Sequence, residues 1–151
     1  MSAKGTSVVI LLAEDDDDDY VLTRDALSAS RLLNDLHRVK DGEELMDYLR
    51  HRNAFRDPRT SPVPGLILLD LNMPRKDGRE CLREIKSDEA LKVVPVVVLT
   101  TSKAEEDVLR LYELGVNSFV KKPVTFDGLL ETIQVLGRYW LEIVELPAIT
   151  K

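Results

Sequence analysis

The stretch that most constrains the fold of this chain is residues 66–70, four aliphatic residues followed by Asp70. The run lies between Pro64 and Pro74, which is typical of a short strand buried on both faces in the middle of a parallel sheet. An ionised carboxylate is costly to bury unless it is paired or binds a metal ion. We therefore expect Asp70 at the carboxyl end of this strand, where open α/β sheets place their ligands. The alternative is that Asp70 only caps the following turn.

A second group of carboxylates follows another aliphatic run, residues 8–13. This run leads directly into Glu14 and Asp15, so two strands that both end in carboxylates can bring them side by side. Because like charges at short range repel strongly, such a group is typical of a site for a hard divalent cation such as Mg²⁺. We assign Glu14 and Asp15 to this site. Residues 16–19 are all aspartate, and we expect them at the surface in the first turn of a helix, where negative charge favours the dipole.

The length and composition favour one cytoplasmic domain that spans residues 1–151. A chain of 151 residues with 44% apolar content is long enough for one complete core and short for two. The net charge of −6 argues against direct binding of nucleic acid, which uses clustered Lys and Arg. The single cysteine, Cys81, is expected in the core and permits no internal disulfide. We expect neither export nor membrane insertion, because the chain shows no signal peptide and no apolar stretch of about 18 residues.

Strand-like and helix-like patterns alternate five times along the chain. A helix follows each predicted strand, and the strands cover residues 8–13, 36–39, 66–70, 93–99 and 117–121. Alternation of this kind predicts a parallel sheet with helices on both faces. The expected fold is α/β and flavodoxin-like, a three-layer (βα)5 sandwich with strand order 2-1-3-4-5. Its site lies at the switch between strands one and three.

Local patterns refine the helices and one loop. Asp41 and Glu44 have the spacing of a capping box at the start of the second helix. Residues 52–65 hold three of the seven prolines and predict a long surface loop, partly ordered by Phe55. The buried stripe of the first helix is predicted to contain Val21, Leu22, Ala26 and Leu27.

The strand ends that converge on one edge of this fold carry complementary side chains. Besides the carboxylates, the fourth strand is followed by Thr100 and the fifth by Lys122. A metal-binding group, a carboxylate nucleophile, a hydroxyl donor and an ammonium are what the capture of a phosphoryl group on a carboxylate requires. Taken singly, Thr100 could cap the next turn, and Lys122 could be a solvent-exposed lysine.

With these motifs in this order, the chain resembles the receiver domains of response regulators over nearly its whole length. The resemblance implies a stand-alone phospho-acceptor protein that takes a phosphoryl group from a sensor histidine kinase and relays the signal by a surface change. Its only catalysis would be its own phosphorylation and dephosphorylation. The motifs that carry the resemblance are Glu14-Asp15, residues 69–74, Asp77-Gly78, Leu99-Thr100 and residues 121–123.

The resemblance implies a role for each acidic residue of the site. Asp70 would be the phospho-acceptor. Asp15, Asp70 and the backbone oxygen of Asn72 would bind Mg²⁺, while Glu14 would act mainly through a bound water.

The resemblance also implies how the phosphoryl group is held and sensed. Thr100 would donate a hydrogen bond to one phosphoryl oxygen, and Lys122 would pair with another. Phe119 stands where the family has its switch aromatic, a position at which Tyr is commoner. Because Phe has no hydroxyl, a switch at this position would work by packing alone.

Within the family, the chain is most similar to the small response regulators of bacterial and cyanobacterial phytochromes. The similarity implies a bacteriophytochrome as the partner kinase, which would itself sense the light. The features that carry it are Glu14, the loop at residues 52–65, residues 99–102 and the tail at residues 137–147.

The sequence pattern of the last helix predicts that the chain forms a dimer with a second copy of itself. Its pattern could run from Thr125 to Leu146, which is longer than a five-stranded domain needs to cover, so residues 137–151 are interpreted as an extension. Exposed apolar residues on such an extension usually mark an interface. We expect a homodimer through the last helix and this extension. The alternative is that the tail folds back on its own domain.

Two other functions remain open from the residues alone. A pseudo-receiver would fold alike without being phosphorylated, and it usually lacks an acid, the Thr or the Lys, all of which are present here. A hydrolase of the haloacid-dehalogenase type also phosphorylates an Asp after an apolar strand. Such a hydrolase needs a second acid two residues later, where this chain has Asn72.

Overall fold

The chain forms a five-stranded parallel sheet with helices packed on both faces. The structure is a computed structural model that describes residues 9–29, 35–70, 77–100, 118–121 and 126–137. Its strands are β1 (Val9–Ala13), β2 (Asp35–Val39), β3 (Leu66–Asp70), β4 (Val96–Thr100) and β5 (Ser118–Lys121). Its helices are α1 (Asp17–Ala29), α2 (Gly42–Leu49), α3 (Gly78–Ser87) and α4 (Phe126–Gly137), with a short 3-10 helix at Asn53–Phe55. The helix predicted after the fourth strand lies outside the described residues.

The strand order is β2-β1-β3-β4-β5, and all four pairings are parallel. The flavodoxin-like fold predicted from the sequence is thereby confirmed. The chain passes from β1 outward to β2 and then returns to β3, so the order reverses between β1 and β3 and leaves a crevice at their carboxyl ends. The register aligns Ala13 with Leu69, so the residues that follow them lie at the same edge of the sheet.

Two apolar layers cover the sheet, one on each face. Because side chains alternate along a strand, Leu11 of β1 packs in the layer under α2 and α3, while Ile10 and Leu12 pack in the layer under α1. Leu130 of α4 packs against that second layer, and α1 and α4 are in contact. All five residues of β3 are buried, as expected for a strand covered on both faces.

β4 begins later than its apolar pattern predicts, at Val96 instead of residue 93. The residues before it form turns, in which the Leu91 amide donates to Asp88 O at 3.2 Å and the Val94 amide donates to Leu91 O at 3.0 Å. Val93 is 50% exposed. Pro95 has no N–H to give to a ladder, which also delays the strand.

The buried face of α1 differs from the predicted stripe at one residue. Ala26 and Leu27 are buried, and Leu22 packs against the core, as predicted. Val21 is 38% exposed, so its assignment to the buried stripe is wrong. Thr23 is buried instead, since a helix that buries residues 26 and 27 brings residue 23 to the same face.

α2 begins with a variant of the predicted capping box. The Glu44 amide donates to Asp41 Oδ1 at 2.8 Å, as the spacing predicts. In return, Glu44 Oε1 accepts from the amide of Lys40 at 2.8 Å, one residue before the cap itself. Two backbone N–H groups at the helix entrance are thereby satisfied.

The loop after α2 is tied to that helix by Tyr48 and is held together internally by His51. The Tyr48 hydroxyl donates to Pro62 O at 2.8 Å, and its ring centroid lies 5.4 Å from that of Phe55. His51 Nε2 lies 2.8 Å from Ser61 O. The prediction of a loop partly ordered by Phe55 is confirmed. Across the described ranges, no helix is both long and apolar enough to cross a membrane.

Candidate functional site

Three carboxylates lie together at the carboxyl ends of β1 and β3. One carboxylate oxygen from each of Glu14, Asp15 and Asp70 lies within 4.8 Å of the others. The grouping follows from the parallel pairing of the two strands, because Glu14 and Asp70 each follow directly on the aligned pair of Ala13 and Leu69. The sequence predicted this grouping from two aliphatic runs that end in acids.

The three carboxylates differ in exposure. Glu14 is 2% exposed and Asp70 is 8% exposed, while Asp15 is open to solvent. Negative charges this close together, two of them buried, repel each other unless a positive charge lies among them. The donor set consists of carboxylate oxygens alone, which suits a hard divalent cation. The residues present therefore fit a divalent metal ion.

The acidic segment after β1 is held by its own backbone. The Glu14 amide donates to Val39 O at 3.0 Å, which ties the segment to the end of β2. The Asp16 amide donates to Glu14 Oε2 at 3.1 Å. Asp16 also accepts at Oδ1 from the Asp19 amide at 2.9 Å, so it acts as the N-cap of α1. These hydrogen bonds therefore fix the acidic segment and the start of α1 relative to the sheet.

The remaining aspartates of the run lie where the sequence predicted. The first turn of α1 contains Asp17, Asp18 and Asp19, where their charge favours the helix dipole. Asp16, Asp17 and Asp18 are exposed, and Asp19 is half-buried. These residues therefore add negative charge around the site without joining the group of three.

Sequence reasoning missed one residue beside this site, Arg38 of β2. Its Nε donates to Glu14 O at 3.0 Å. Its Nη2 lies 2.8 Å from Asp17 Oδ1, an ion-pair distance, although Nη2 does not meet hydrogen-bond geometry. The guanidinium also lies over the Tyr20 ring, 4.5 Å from its centroid. The Arg38 side chain is only 13% exposed. The predicted strand order, with β2 beside β1, is the signal that could have found it.

Arg38 also changes the electrostatics of the acidic run. The close contact between the Arg38 guanidinium and the Asp17 carboxylate, together with the positive charge of Arg38, holds the pKa of Asp17 below the ordinary carboxyl value, and the charge of Lys40 acts in the same direction. Asp17 therefore stays ionised to lower pH than an isolated aspartate.

The other predicted site residues lie at the same edge or outside the described parts of the chain. Thr100 ends β4, and its backbone is in register with Lys121 at the end of β5. Phe119 is in register with Val98. The side chains of Thr100 and Phe119, and all of Asn72 and Lys122, lie outside the described parts.

Cys81 is a core residue, as predicted. It is fully buried in α3, and its Sγ lies 3.4 Å from Gly42 O. A buried thiol in apolar surroundings is inert, because the thiolate form is disfavoured. Cys81 therefore has no part in the site.

The fold and the acidic site agree with the family that the sequence matches. A family model described as the response regulator receiver domain matches residues 10–134. The chain belongs to the response regulator receiver domain family.

Within that family, the chain is similar to regulators of phytochrome signalling. Response regulator Rcp1 of Synechocystis sp. is 45% identical over 127 residues, which cover 84% of this chain and 84% of Rcp1. The crystal structure of the phosphorylated cyanobacterial phytochrome response regulator RcpA gives a TM-score of 0.88 at 40% identity and covers 95% of this chain and 100% of that one. The crystal structure of the Mn²⁺-bound form of Rcp1 gives a TM-score of 0.85 at 45% identity, with coverages of 93% and 99%.

These similarities define the kind of protein and its class of partner. The chain is a response regulator of two-component signalling, homologous to phytochrome response regulators. A histidine kinase is the class of partner that this family implies. Receiver domains bind a divalent metal ion, and the carboxylate group at β1 and β3 fits one.

Proposed function

We propose that Asp70 accepts a phosphoryl group from a histidine kinase in a Mg²⁺-dependent reaction, and that the phosphorylated chain relays the signal through a changed surface. The observation that carries the proposal is the group formed by Glu14, Asp15 and Asp70 at the switch point of the sheet. Asp70 is the member of the group that ends the central, fully buried strand. The strand therefore holds Asp70 in place, with a carboxylate oxygen within 4.8 Å of one from Glu14 and one from Asp15.

The proposed chemistry is a simple displacement. A carboxylate oxygen of Asp70 attacks the phosphorus of a phosphohistidine, forming an O–P bond as the N–P bond breaks, and the imidazole nitrogen keeps the electron pair. Asp15, Asp70 and the backbone oxygen of Asn72 would hold Mg²⁺, with Glu14 acting through a water. When bound, Mg²⁺ neutralises negative charge on the phosphoryl oxygens.

The residues outside the acidic group complete the proposed site. Thr100 donates a hydrogen bond to a phosphoryl oxygen, and Lys122 pairs with another. The register of Thr100 with Lys121 supports this proposal, because it brings the ends of β4 and β5 to the edge where β3 ends. Phe119 acts as the switch residue by packing alone, since it has no hydroxyl.

The proposal extends to the chain as a whole. Residues 1–151 form one receiver domain with residues 137–151 as an extension, and catalysis is limited to the chain's own phosphorylation and dephosphorylation. The kinase is a bacteriophytochrome or related phytochrome, which the similarity to the cyanobacterial phytochrome response regulator RcpA supports. The chain acts in the cytoplasm, binds no nucleic acid directly and forms a homodimer through α4 and the extension. The net charge of −6 supports the exclusion of nucleic acid.

The test is phosphorylation by acetyl phosphate, followed by the intact mass of the protein. With Mg²⁺, the wild-type chain gains one phosphoryl adduct, and the Asp70→Asn variant gains none. Asp15→Ala loses the adduct at Mg²⁺ concentrations that saturate the wild type, whereas Asp18→Ala, which removes an exposed acid of the same run, keeps it. No adduct on the wild type would favour a pseudo-receiver. Steady release of phosphate without an adduct would favour a hydrolase.

A further inference from the structure

Arg38 contacts the acidic segment from β2, a strand that carries none of the proposed site residues. Its Nε–H bond to the Glu14 carbonyl spans the gap between β2 and the residue after β1. The same guanidinium reaches Asp17 and lies over Tyr20 in α1. One side chain therefore joins the edge strand, the acidic segment and the first helix.

The hydrogen bond to Glu14 O acts on the orientation of Asp15. The carbonyl of Glu14 and the amide of Asp15 belong to one planar peptide unit, so fixing the oxygen fixes the plane that leads into Asp15. The preceding peptide unit is fixed by the bond from the Glu14 amide to Val39 O, and the next by the bond from the Asp16 amide to Glu14 Oε2. Arg38 supplies the middle of three successive anchors.

Asp15 depends on these anchors more than its two neighbours in the group do. It is exposed, whereas Glu14 and Asp70 are buried and are confined by packing. When an exposed carboxylate binds a metal ion, both its side chain and its backbone lose conformational freedom. Hydrogen bonds that already fix the backbone remove part of this entropic cost.

The shape of the guanidinium suits it to holding the Glu14–Asp15 peptide unit. Its planar fork offers several N–H donors in fixed directions, and it stacks on aromatic rings. Here one edge faces the Glu14 carbonyl and the Asp17 carboxylate while the plane rests on Tyr20. A lysine at position 38 would keep the charge but would lack the fork.

We propose that Arg38 is a positioning residue for the divalent metal site, which orients Asp15 through the Glu14–Asp15 peptide unit and so raises the affinity for the metal. The inference rests on the proposed metal site at Glu14, Asp15 and Asp70. Positioning and charge predict opposite effects of removing Arg38 on the affinity for the metal ion. Removing a positive charge beside an anionic site should by itself strengthen the binding of a cation. Loss of positioning should weaken it.

The experiment is a titration of the metal-free full-length chain with Mn²⁺, with free Mn²⁺ measured by electron paramagnetic resonance. We expect Arg38→Ala to raise the dissociation constant about tenfold, at the low end of the range for residues that orient metal ligands. Arg38→Lys restores part of the affinity. At saturating Mg²⁺, the rate of phosphorylation by acetyl phosphate returns close to the wild-type rate in both variants, because Arg38 does not contact the acceptor's own strand.

The matched control is Arg24→Ala. Arg24 also lies over the Tyr20 ring, at 5.7 Å, but it pairs with Asp25 and is 51% exposed. Its removal deletes the same charge and a contact to the same ring. Arg24→Ala should leave the dissociation constant within about twofold of the wild type or lower it slightly. Circular dichroism of the metal-free variants verifies that each is folded, and Arg38→Lys serves if Arg38→Ala is not.

Each result decides a different point. A dissociation constant for Arg38→Ala equal to or below that of the wild type overturns the role of Arg38 and leaves the metal site intact. Equal weakening in Arg38→Ala and Arg24→Ala also overturns it, since the effect would then come from Tyr20 or from general charge. Wild-type Mn²⁺ binding that Asp15→Ala does not change would overturn the proposed site itself, and the role of Arg38 with it.

Discussion

Glu14 and Asp15 are adjacent acids with opposite surroundings. Glu14 is 2% exposed, and its Oε2 accepts from the Asp16 amide, so its side chain bends back onto its own segment. Asp15 faces solvent. An exposed carboxylate binds a cation without first losing much of its hydration, while a buried one supplies negative charge that solvent screens poorly. The pair therefore combines access for the metal with a strong local field.

Local patterns in the chain predicted the acidic residues of the site but not Arg38, which contacts the acidic segment. Asp70 and Glu14 were predictable because each directly follows an aliphatic run, and the position of a strand end can be read from neighbouring residues. Arg38 lies in a short, half-buried edge strand. Its contact with Glu14 joins residues 24 positions apart, and it depends on the parallel register of β1 and β2. No short pattern records that register.

Tyr48 gives the chain a specific sensitivity to alkaline pH. The side chain is 2% exposed, and burial, with a smaller effect from the charge of Asp35, raises its pKa above the ordinary value of 10.0. The folded chain therefore keeps the phenol proton at pH values where the unfolded chain releases it. Above about pH 10 the unfolded state binds fewer protons than the folded state, so stability falls as pH rises.

Substitution of Tyr48 by Phe should flatten this fall. At pH 8 we expect Tyr48→Phe to be about 1 kcal/mol less stable than the wild type, because Pro62 O loses its donor. Between pH 10 and pH 11 the difference should shrink, since the variant has no phenol at this position to titrate. Urea denaturation at each pH measures both effects. Parallel loss of stability in the two proteins would show that another group causes the alkaline sensitivity.

The entrance of α2 shows how a short sequence pattern determines an element. Asp41 is 8% exposed and accepts from the Glu44 amide at 2.8 Å. Asp41→Ala removes this N-cap and should lower the free energy of unfolding by about 1 kcal/mol. Asp41→Asn keeps a side-chain oxygen at the cap and should lose much less. Urea denaturation at pH 7 gives both values, and equal losses would mean that charge at position 41 matters and the cap does not.

The bounds of the elements were predictable to the extent that a single residue type determines them. Asp41 and Asp77 mark the starts of α2 and α3 through side-chain caps. The start of β4 was placed too early, because Val93 and Val94 favour strands on propensity alone. There the turn after α3 decides the structure through Asp88, whose Oδ1 accepts from the Ala90 amide at 2.8 Å.

The number of copies in the active assembly is a property of the whole molecule. The proposed dimer uses the last helix and its extension at residues 137–151. Sedimentation velocity at micromolar concentration should show a dimer for the full-length chain and a monomer for a chain that ends at Gly137. Ile143 is an apolar residue of the extension. The point variant Ile143→Asp should weaken the dimer without shortening the chain, because a charge within an apolar interface is costly. A monomeric full-length chain, with and without phosphorylation, would mean that the extension covers its own core.

All five residues of β3 are buried, and the strand is bonded to β1 on one side and to β4 on the other. To displace Asp70, the chain would have to break two ladders and open both apolar layers. If Asp70 is the acceptor, the sheet is therefore a rigid reference frame, and the acceptor changes in charge while its position stays the same. The signal would then leave the site through neighbouring residues that respond to the new charge, and not through a displacement of the acceptor itself.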